Sequence, residues 1–429
     1  MRQPERFEGN PVVRRGAPGT VDAHGVQFYG SIIQDGGKYR MWYVAFDDQV
    51  EHAVKSERWR AAYAESTDGV TWVKPELGLV AFRGSKKNNL VDVGGAWGFV
   101  NLKVIKDEAD PDASRRYKMV THVYFRHNTR LGTLLPFVSA DGLTWRPVKD
   151  VKPVKGELRK QDLLVPGFHL EPACGLYQWD GQFFLTAQNA MPHTHHYQGR
   201  VVRLHRSADF VNWSSTSTLA FVRSAQHAYL GAGKSREGEQ NHEGIAVWPR
   251  GNVLLGVYGR WHGAAEWSGV SVDLGLVMSN DGHTFREPKH EWTMLERGKD
   301  GEWDQGGIIQ GQGFENIGEK TLVYYGAWDP RATGGGGMAW LGALLVAVSA
   351  CQGGSLAFAV FIHRLHPGAS APAASLGAWL LGLAIAVAGA ALLSAALPQP
   401  GFVPEGRRRW LVAAASVFPA SALLFLAFA

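Results

Sequence analysis

At 429 residues and a net charge of +5, the chain exceeds one ordinary domain and lacks the clustered basic residues of a nucleic-acid-binding surface. Its composition changes near Gly334–Gly337: residues 338–429 hold four Arg and one Glu, so residues 1–337, with 40 basic and 38 acidic side chains, are nearly neutral. Cys174 and Cys351 are the only cysteines, which excludes a disulfide framework, and the first residues show no apolar run of a secretion signal.

Two interleaved patterns run along the chain. The first is a turn followed by an apolar, aromatic-rich strand. It occurs at Asp35-Gly36-Gly37 before Tyr39–Tyr43, at Asp110–Ser114 before Tyr117–Val120 and at Asp180-Gly181 before Phe183–Thr186. It recurs at Arg250-Gly251-Asn252 before Val253–Leu255 and at Gly318-Glu319 before Thr321–Tyr325. The second follows each of the first four copies: Ser66-Thr-Asp68-Gly-Val-Thr-Trp72, Ser139-Ala-Asp141-Gly-Leu-Thr-Trp145, Ser207-Ala-Asp209-Phe-Val-Asn-Trp213 and Ser279-Asn-Asp281-Gly-His-Thr-Phe285. In this hairpin signature, Asp accepts local backbone N–H bonds, Gly supplies a positive φ and an aromatic opens the next strand. A repeat of about 70 residues predicts an all-β fold, a five-bladed β-propeller over residues 1–337, because radial repetition protects the edges of many short strands.

Residues 338–429 carry three long apolar runs, 338–363, 373–397 and 410–429, each long enough to cross about 30 Å of hydrocarbon as a helix. They predict a hydrophobic tail with about three transmembrane helices and hence a membrane partner. Arg407-Arg408-Arg409 between the second and third runs places that loop, and with it the propeller, in the cytoplasm by the positive-inside rule. A gene-level fusion or reading-frame accident behind a truncated propeller is the alternative origin of the tail, and would leave a cytoplasmic protein.

Aligning the five units on their first turn and reading back about nine residues gives Gln27, Asn101, Glu171, Glu243 and Gln310. All five are polar although apolar strand follows each of them. Strand positions facing a core seldom hold amides and carboxylates, so the ring is expected to line a polar pocket at the propeller axis.

The Tyr39-Arg-Met-Trp-Tyr43 strand, the Ser-x-Asp-Gly-x-Thr-Trp turns and Tyr324-Tyr-Gly-Ala-Trp-Asp329 resemble the five-bladed propeller glycoside hydrolases of the family 32 and family 43 type, over residues 1 to about 335. The resemblance implies a carbohydrate substrate, no cofactor and three inner-strand acids. Two carboxyl groups must flank the glycosidic bond, one protonated to assist the leaving oxygen and one ionised to attack or to activate water. Carried over by residue, the general acid matches Glu171 in Leu170-Glu-Pro-Ala-Cys174. The second-blade acid falls on Asn101, and the first-blade acid falls near Gln27 with Asp22 and His24 just upstream, so two of three positions depart from the family pattern. Glu243 on the neighbouring blade, or Asp22, is then the expected partner of Glu171.

His242 beside Glu243, together with Arg260 and Trp261 after the next strand, is expected to touch a ligand alongside Gln27, Asn101 and Gln310. Trp97, Trp261, Trp267 and Trp303 are placed in loops, where they stack on sugar rings or pack between blades. His193-Thr-His195-His196 reads as a polar rim, since carboxylates at ligand spacing are lacking, and no metal site is expected. The leading function is a glycoside hydrolase; the alternatives are a carbohydrate-binding propeller without catalysis and a membrane-tethered interaction scaffold.

Overall fold

The computed structural model describes residues 4–47, 59–94, 98–125, 128–149, 170–190, 200–223 and 238–329. In chain order the strands are β1 (Gly25–Asp35), β2 (Lys38–Phe46), β3 (Trp59–Ser66), β4 (Asn101–Lys106), β5 (Tyr117–Phe125), β6 (Asn128–Ser139), β7 (Arg146–Pro147), β8 (Leu170–Trp179) and β9 (Gln182–Ala190). They continue as β10 (Arg200–Ser207), β11 (Thr218–Phe221), β12 (Glu239–Arg250), β13 (Val253–His262), β14 (Ser271–Ser279), β15 (Thr293–Leu295), β16 (Ile308–Ile317) and β17 (Lys320–Ala327). The fold is an all-β propeller.

The Ser-x-Asp segments form the turns that their chemistry predicts. Asp68 Oδ1 accepts from the N–H groups of Val70 and Thr71 at 2.9 and 2.7 Å, and Ser66 Oγ accepts from Gly69 N at 2.8 Å. Asp141 repeats this with Leu143 and Thr144, both at 2.8 Å. In the third copy Phe210 stands where the others have Gly and takes the same left-handed backbone, φ 64°. Asp141→Ala removes both acceptor bonds, and by analogy with helix caps is expected to cost about 1 kcal/mol, read as a lower denaturation midpoint at unchanged slope.

These turns also clasp the neighbouring sheet. Trp42 Nε1 donates to Gly142 O at 2.7 Å, the Tyr177 hydroxyl to Gly282 O at 2.8 Å, and the Tyr324 hydroxyl to Gly69 O at 2.8 Å. The core fills the space between sheets accordingly. Trp42 and Val44 of β2 pack with Leu102 and Val104 of β4 and Phe137 of β6, and Tyr177 and Phe184 pack with Ile245, Val247 and Tyr258.

Hydrogen bonding gathers the strands into four sheets, which corrects the expectation of five blades. The orders are β17-β16-β1-β2-β3, β4-β5-β6-β7, β11-β10-β9-β8 and β12-β13-β14-β15. The fifth hairpin, β16–β17, does not stand as a separate blade. Its inner strand pairs parallel with β1 at Ser31–Gln312 and Ile32–Gly313, so that hairpin and the first three strands share one ladder. A two-stranded hairpin is marginal alone, and pairing with β1 removes an open edge from each.

Around the axis β1 contacts β4, β4 contacts β8, β8 contacts β12, β12 contacts β16, and β16 returns to β1. The approach is close enough at Gly175 of β8 that an added Cβ would lie 2.2 Å from Ile245 O of β12.

The expected membrane spans at 338–363, 373–397 and 410–429 lie outside the described residues. Among the described residues no helix is long and apolar enough to cross a membrane.

Candidate active site

The five aligned polar residues all fall at or near the start of an inner strand: Gln27 on β1, Asn101 on β4, Glu171 on β8, Glu243 on β12 and Gln310 on β16. Four of these strands lose register at that height. The ladder shifts between Gln27 and Ser31, between Glu171 and Ala173, between His242 and Ile245, and between Gln310 and Phe314. Such breaks turn side chains off the pleat and recur beside active sites.

Glu243 sits inside the β12 break. Its φ is 71°, in the left-handed region that a non-glycine residue seldom takes, and the residue is only 9% exposed. The conformation is fixed from outside the strand: Glu243 N donates to Gln188 Oε1 of β9 at 2.8 Å. Its Oε1 accepts from the Tyr29 hydroxyl at 3.4 Å and lies 3.3 Å from His242 Nε2. Backbone strain held in place by surrounding structure is characteristic of functional positions.

The neighbours fix the state of His242. Arg200 Nη1 lies 2.9 Å from His242 Nδ1, and since a guanidinium only donates, Nδ1 accepts. Burial, and next the Arg200 charge, push the imidazole well below its usual pKa, so the ring is neutral and carries its proton on Nε2, the nitrogen facing Tyr29 and Glu243. The ring is stacked on Trp328 at 5.0 Å and 6°, with Trp261 5.2 Å away, and Arg200 lies 4.0 Å over the Trp261 ring.

A buried cation completes the group. Lys103 of β4 is fully buried and donates from Nζ to Gly30 O at 3.1 Å. Burial lowers its pKa to about 8, against the fields of Cys174 and Glu243. It therefore remains an ammonium at neutral pH. Burial pushes the Cys174 thiol up, so it stays protonated, and burial followed by the Glu243 charge raises the Tyr29 hydroxyl likewise. The groups at the Glu243 carboxyl are thus a hydroxyl and an imidazole N–H, with the buried Lys103 close enough to feel its charge.

The structure brings together Glu243, His242, Gln310 and Trp261. Gln310 Nε2 donates to the carbonyls of His242 and Gly244 at 2.8 and 2.9 Å, holding both sides of the Glu243 break from β16. Asn101 is buried on β4, with Oδ1 accepting from His122 N at 2.8 Å. Gln27 is half-buried opposite Val44. Glu171 pairs through its backbone with Gln188, the residue that also holds Glu243 N; its side chain lies outside the described residues.

Asp22 and Arg260 belong to other networks. Asp22 is buried in an ion pair with Lys74 and accepts from the Tyr43 hydroxyl at 3.0 Å. Arg260 donates to Glu291 Oε2 at 2.6 Å and to Thr293 Oγ1. Trp261 lies within β13 and is fully buried, in place of the expected loop position, because β13 continues through His262. Trp267 lies in a 3-10 turn, Trp267–Gly269, and Trp303 is 43% exposed. Trp97, His193, His195 and His196 lie outside the described residues. Glu287, His290 and Glu291 bring ligand-type atoms within 4.8 Å of one another, but Arg223 and Arg260 both hold Glu291, a charge arrangement that opposes a bound cation.

Next to this group, His262 bridges Glu239 Oε2 at 2.8 Å and Asp273 Oδ2 at 2.9 Å, with Arg223 on Glu239 and Arg297 on Asp273. Burial opposes its charge, yet the two carboxylates outweigh burial and raise its pKa above 6.5. A raised folded-state pKa contributes stability that is complete below about pH 6.5 and is lost as pH rises through the folded value. The thermal midpoint of His262→Gln should therefore approach that of the wild type between pH 6 and 9. A difference that stays constant across this window would exclude the imidazolium.

Tyr29, Lys103, Gln188, Arg200 and Trp328 were not found from sequence. One of them carried a signal: Lys103 lies two residues beyond Asn101 on the same face of β4 at period two, whereas Tyr29 falls inside the β1 register break, where that period fails.

Fold and site together define a β-propeller with a desolvated carboxyl, imidazole and ammonium grouped at one end of its axis. No family model and no curated protein matches the chain. Solved structures do. A protein of Parabacteroides distasonis described as a candidate glycoside hydrolase is 15% identical over 76% of this chain and 93% of its own, with a TM-score of 0.49. A structure from the GH130 family of mannoside phosphorylases, described as containing glycoside hydrolases that target beta-1,2 mannosidic linkages in Candida mannan, is 15% identical over 76% of this chain and 90% of its own, at 0.48. An N-acetylgalactosamine deacetylase from F. plautii, solved with blood group B trisaccharide, is 18% identical over 73% of this chain and 86% of its own, at 0.47. At these identities the likeness concerns the fold alone.

Proposed function

We propose that the protein is a carbohydrate-active enzyme that cleaves a glycosidic bond at the Glu243 end of its axis. The carrying observation is Glu243 itself: strained, nearly buried, fixed by Gln188, in contact with Tyr29 and His242, and within the field of the buried Lys103. In this reading Glu243 is the ionised carboxylate that attacks or activates water, and Glu171, on the adjoining inner strand, is the general acid. Gln27, half-buried at the start of β1, is the member of the polar ring on which a sugar hydroxyl docks, while the buried amides of Asn101 and Gln310 brace the inner strands around it. The Lys74 ion pair of Asp22 leaves Glu243 as the better partner for Glu171.

A second reading, binding without turnover, is favoured by the neutral amides of Gln27 and Asn101, which cannot steady an oxocarbenium-like state as a carboxylate would. Reducing-sugar release from a panel of plant and microbial glycans separates the two. The enzyme reading expects release that is lost in Glu243→Gln; a glycan that binds and is not cleaved by the wild type establishes the second reading.

A further inference from the structure

The far end of the axis holds a cavity of its own, of about 430 Å³. It lies where the inner strands end rather than where they begin: Ile32, Ile105, Leu176, Val247 and Phe314 supply hydrocarbon from five different strands, and Glu315 supplies a carboxyl. The volume is within the usual range for small-ligand sites, about 300–1,000 Å³. Trp248 stacks on Phe314 at 5.5 Å and 8°, giving the wall a rigid aromatic stretch. The side chain of Gln312 is spent within the fold, donating to Leu176 O at 2.7 Å and accepting from Leu176 N at 2.8 Å.

Two charged side chains line this cavity, and they differ in kind. Lys106 is neutralised, its ammonium held by Asp35 at 2.5 Å and by Glu108. Glu315 is half-buried and has no cation partner among the described residues; the backbone N–H of Gln34 is the donor that reaches it. An apolar chamber with one uncompensated carboxyl is complementary to a molecule with a hydrocarbon body and a single positive charge.

We propose that this far cavity is a second ligand site, distinct from the Glu243 end, which takes a small organic ammonium compound whose charge pairs with Glu315 and whose hydrocarbon body fills the space among Ile32, Leu176, Val247 and Phe314. The site does not rest on the glycosidic reading. Burial raises the Glu315 carboxyl to about 7, so it ionises within the accessible range. The other titratable groups facing it are Lys106 on β4, Tyr177 on β8 and Tyr324 on β17, all of which titrate above this range. Amine affinity therefore rises from pH 6 to pH 8.

Calorimetric titration of the full chain with cyclohexylamine and with cyclohexanol tests this. Cyclohexylamine is expected to bind at least tenfold more tightly than the alcohol at pH 8, to lose most of that preference at pH 6, and to lose it at both pH values in Glu315→Gln. Equal affinities for amine and alcohol, absence of amine binding, or a preference unchanged between pH 6 and pH 8 would each overturn the assignment. The pH series on the wild type decides the matter even if Glu315→Gln does not fold.

Discussion

Replacing Glu243 by glutamine is expected to lower kcat by about 10²–10⁴-fold on whichever glycan the wild type cleaves, with the dissociation constant for that glycan changed by no more than about threefold. The amide preserves what the fold asks of this residue. The backbone keeps its left-handed conformation and its bond to Gln188 Oε1, and the amide oxygen still accepts from the Tyr29 hydroxyl. What is lost is the carboxylate that the proposed mechanism requires beside the Nε2–H of His242. Single-turnover rates set beside binding calorimetry separate the two effects. A variant that binds poorly and turns over normally once saturated would make Glu243 a docking residue and remove it from the chemistry.

The largest structural effect is expected at Gly30. A Cβ there would lie 1.8 Å from Trp42 O, a backbone atom in the middle of β2, so the strands must part. Gly30 also lies within the β1 register break, and its carbonyl is the acceptor for the buried Lys103 ammonium. Gly30→Ala is expected to destabilise the propeller by about 3 kcal/mol, from overpacking together with a weakened contact to a desolvated charge. Denaturant unfolding should show the loss as a lower midpoint. Gly36→Ala, in the turn after β1 where nothing approaches within 4 Å, is the control for backbone conformation, since its cost comes only from φ 60°.

Local chemistry made much of this architecture legible. The Asp-Gly turns declare themselves because Asp141 and its equivalents satisfy backbone donors two and three residues away, an arrangement contained in seven letters. The inner strands followed from those turns, and with them the height of Gln27, Asn101, Glu171, Glu243 and Gln310. The number of sheets did not follow, because it depends on the parallel contact of Ser31 with Gln312, a pairing of residues at opposite ends of the propeller. The same limit applies at the site. Asp22 looked available as a carboxylate because its cation, Lys74, comes from 52 residues away. Arg200 and Trp328 reach His242 only through folding, and no pattern near either residue announces it. Lys103 was within reach of sequence reasoning, since it shares a strand face with Asn101.

The most direct test of the account is a crystal structure of Glu243→Gln with an oligosaccharide that the wild type cleaves. The account predicts sugar density at the starts of the inner strands, with the scissile bond between residues 171 and 243 and a hydroxyl on Gln27. Sugar density confined to the opposite end of the axis, beside Trp248 and Phe314, would contradict it.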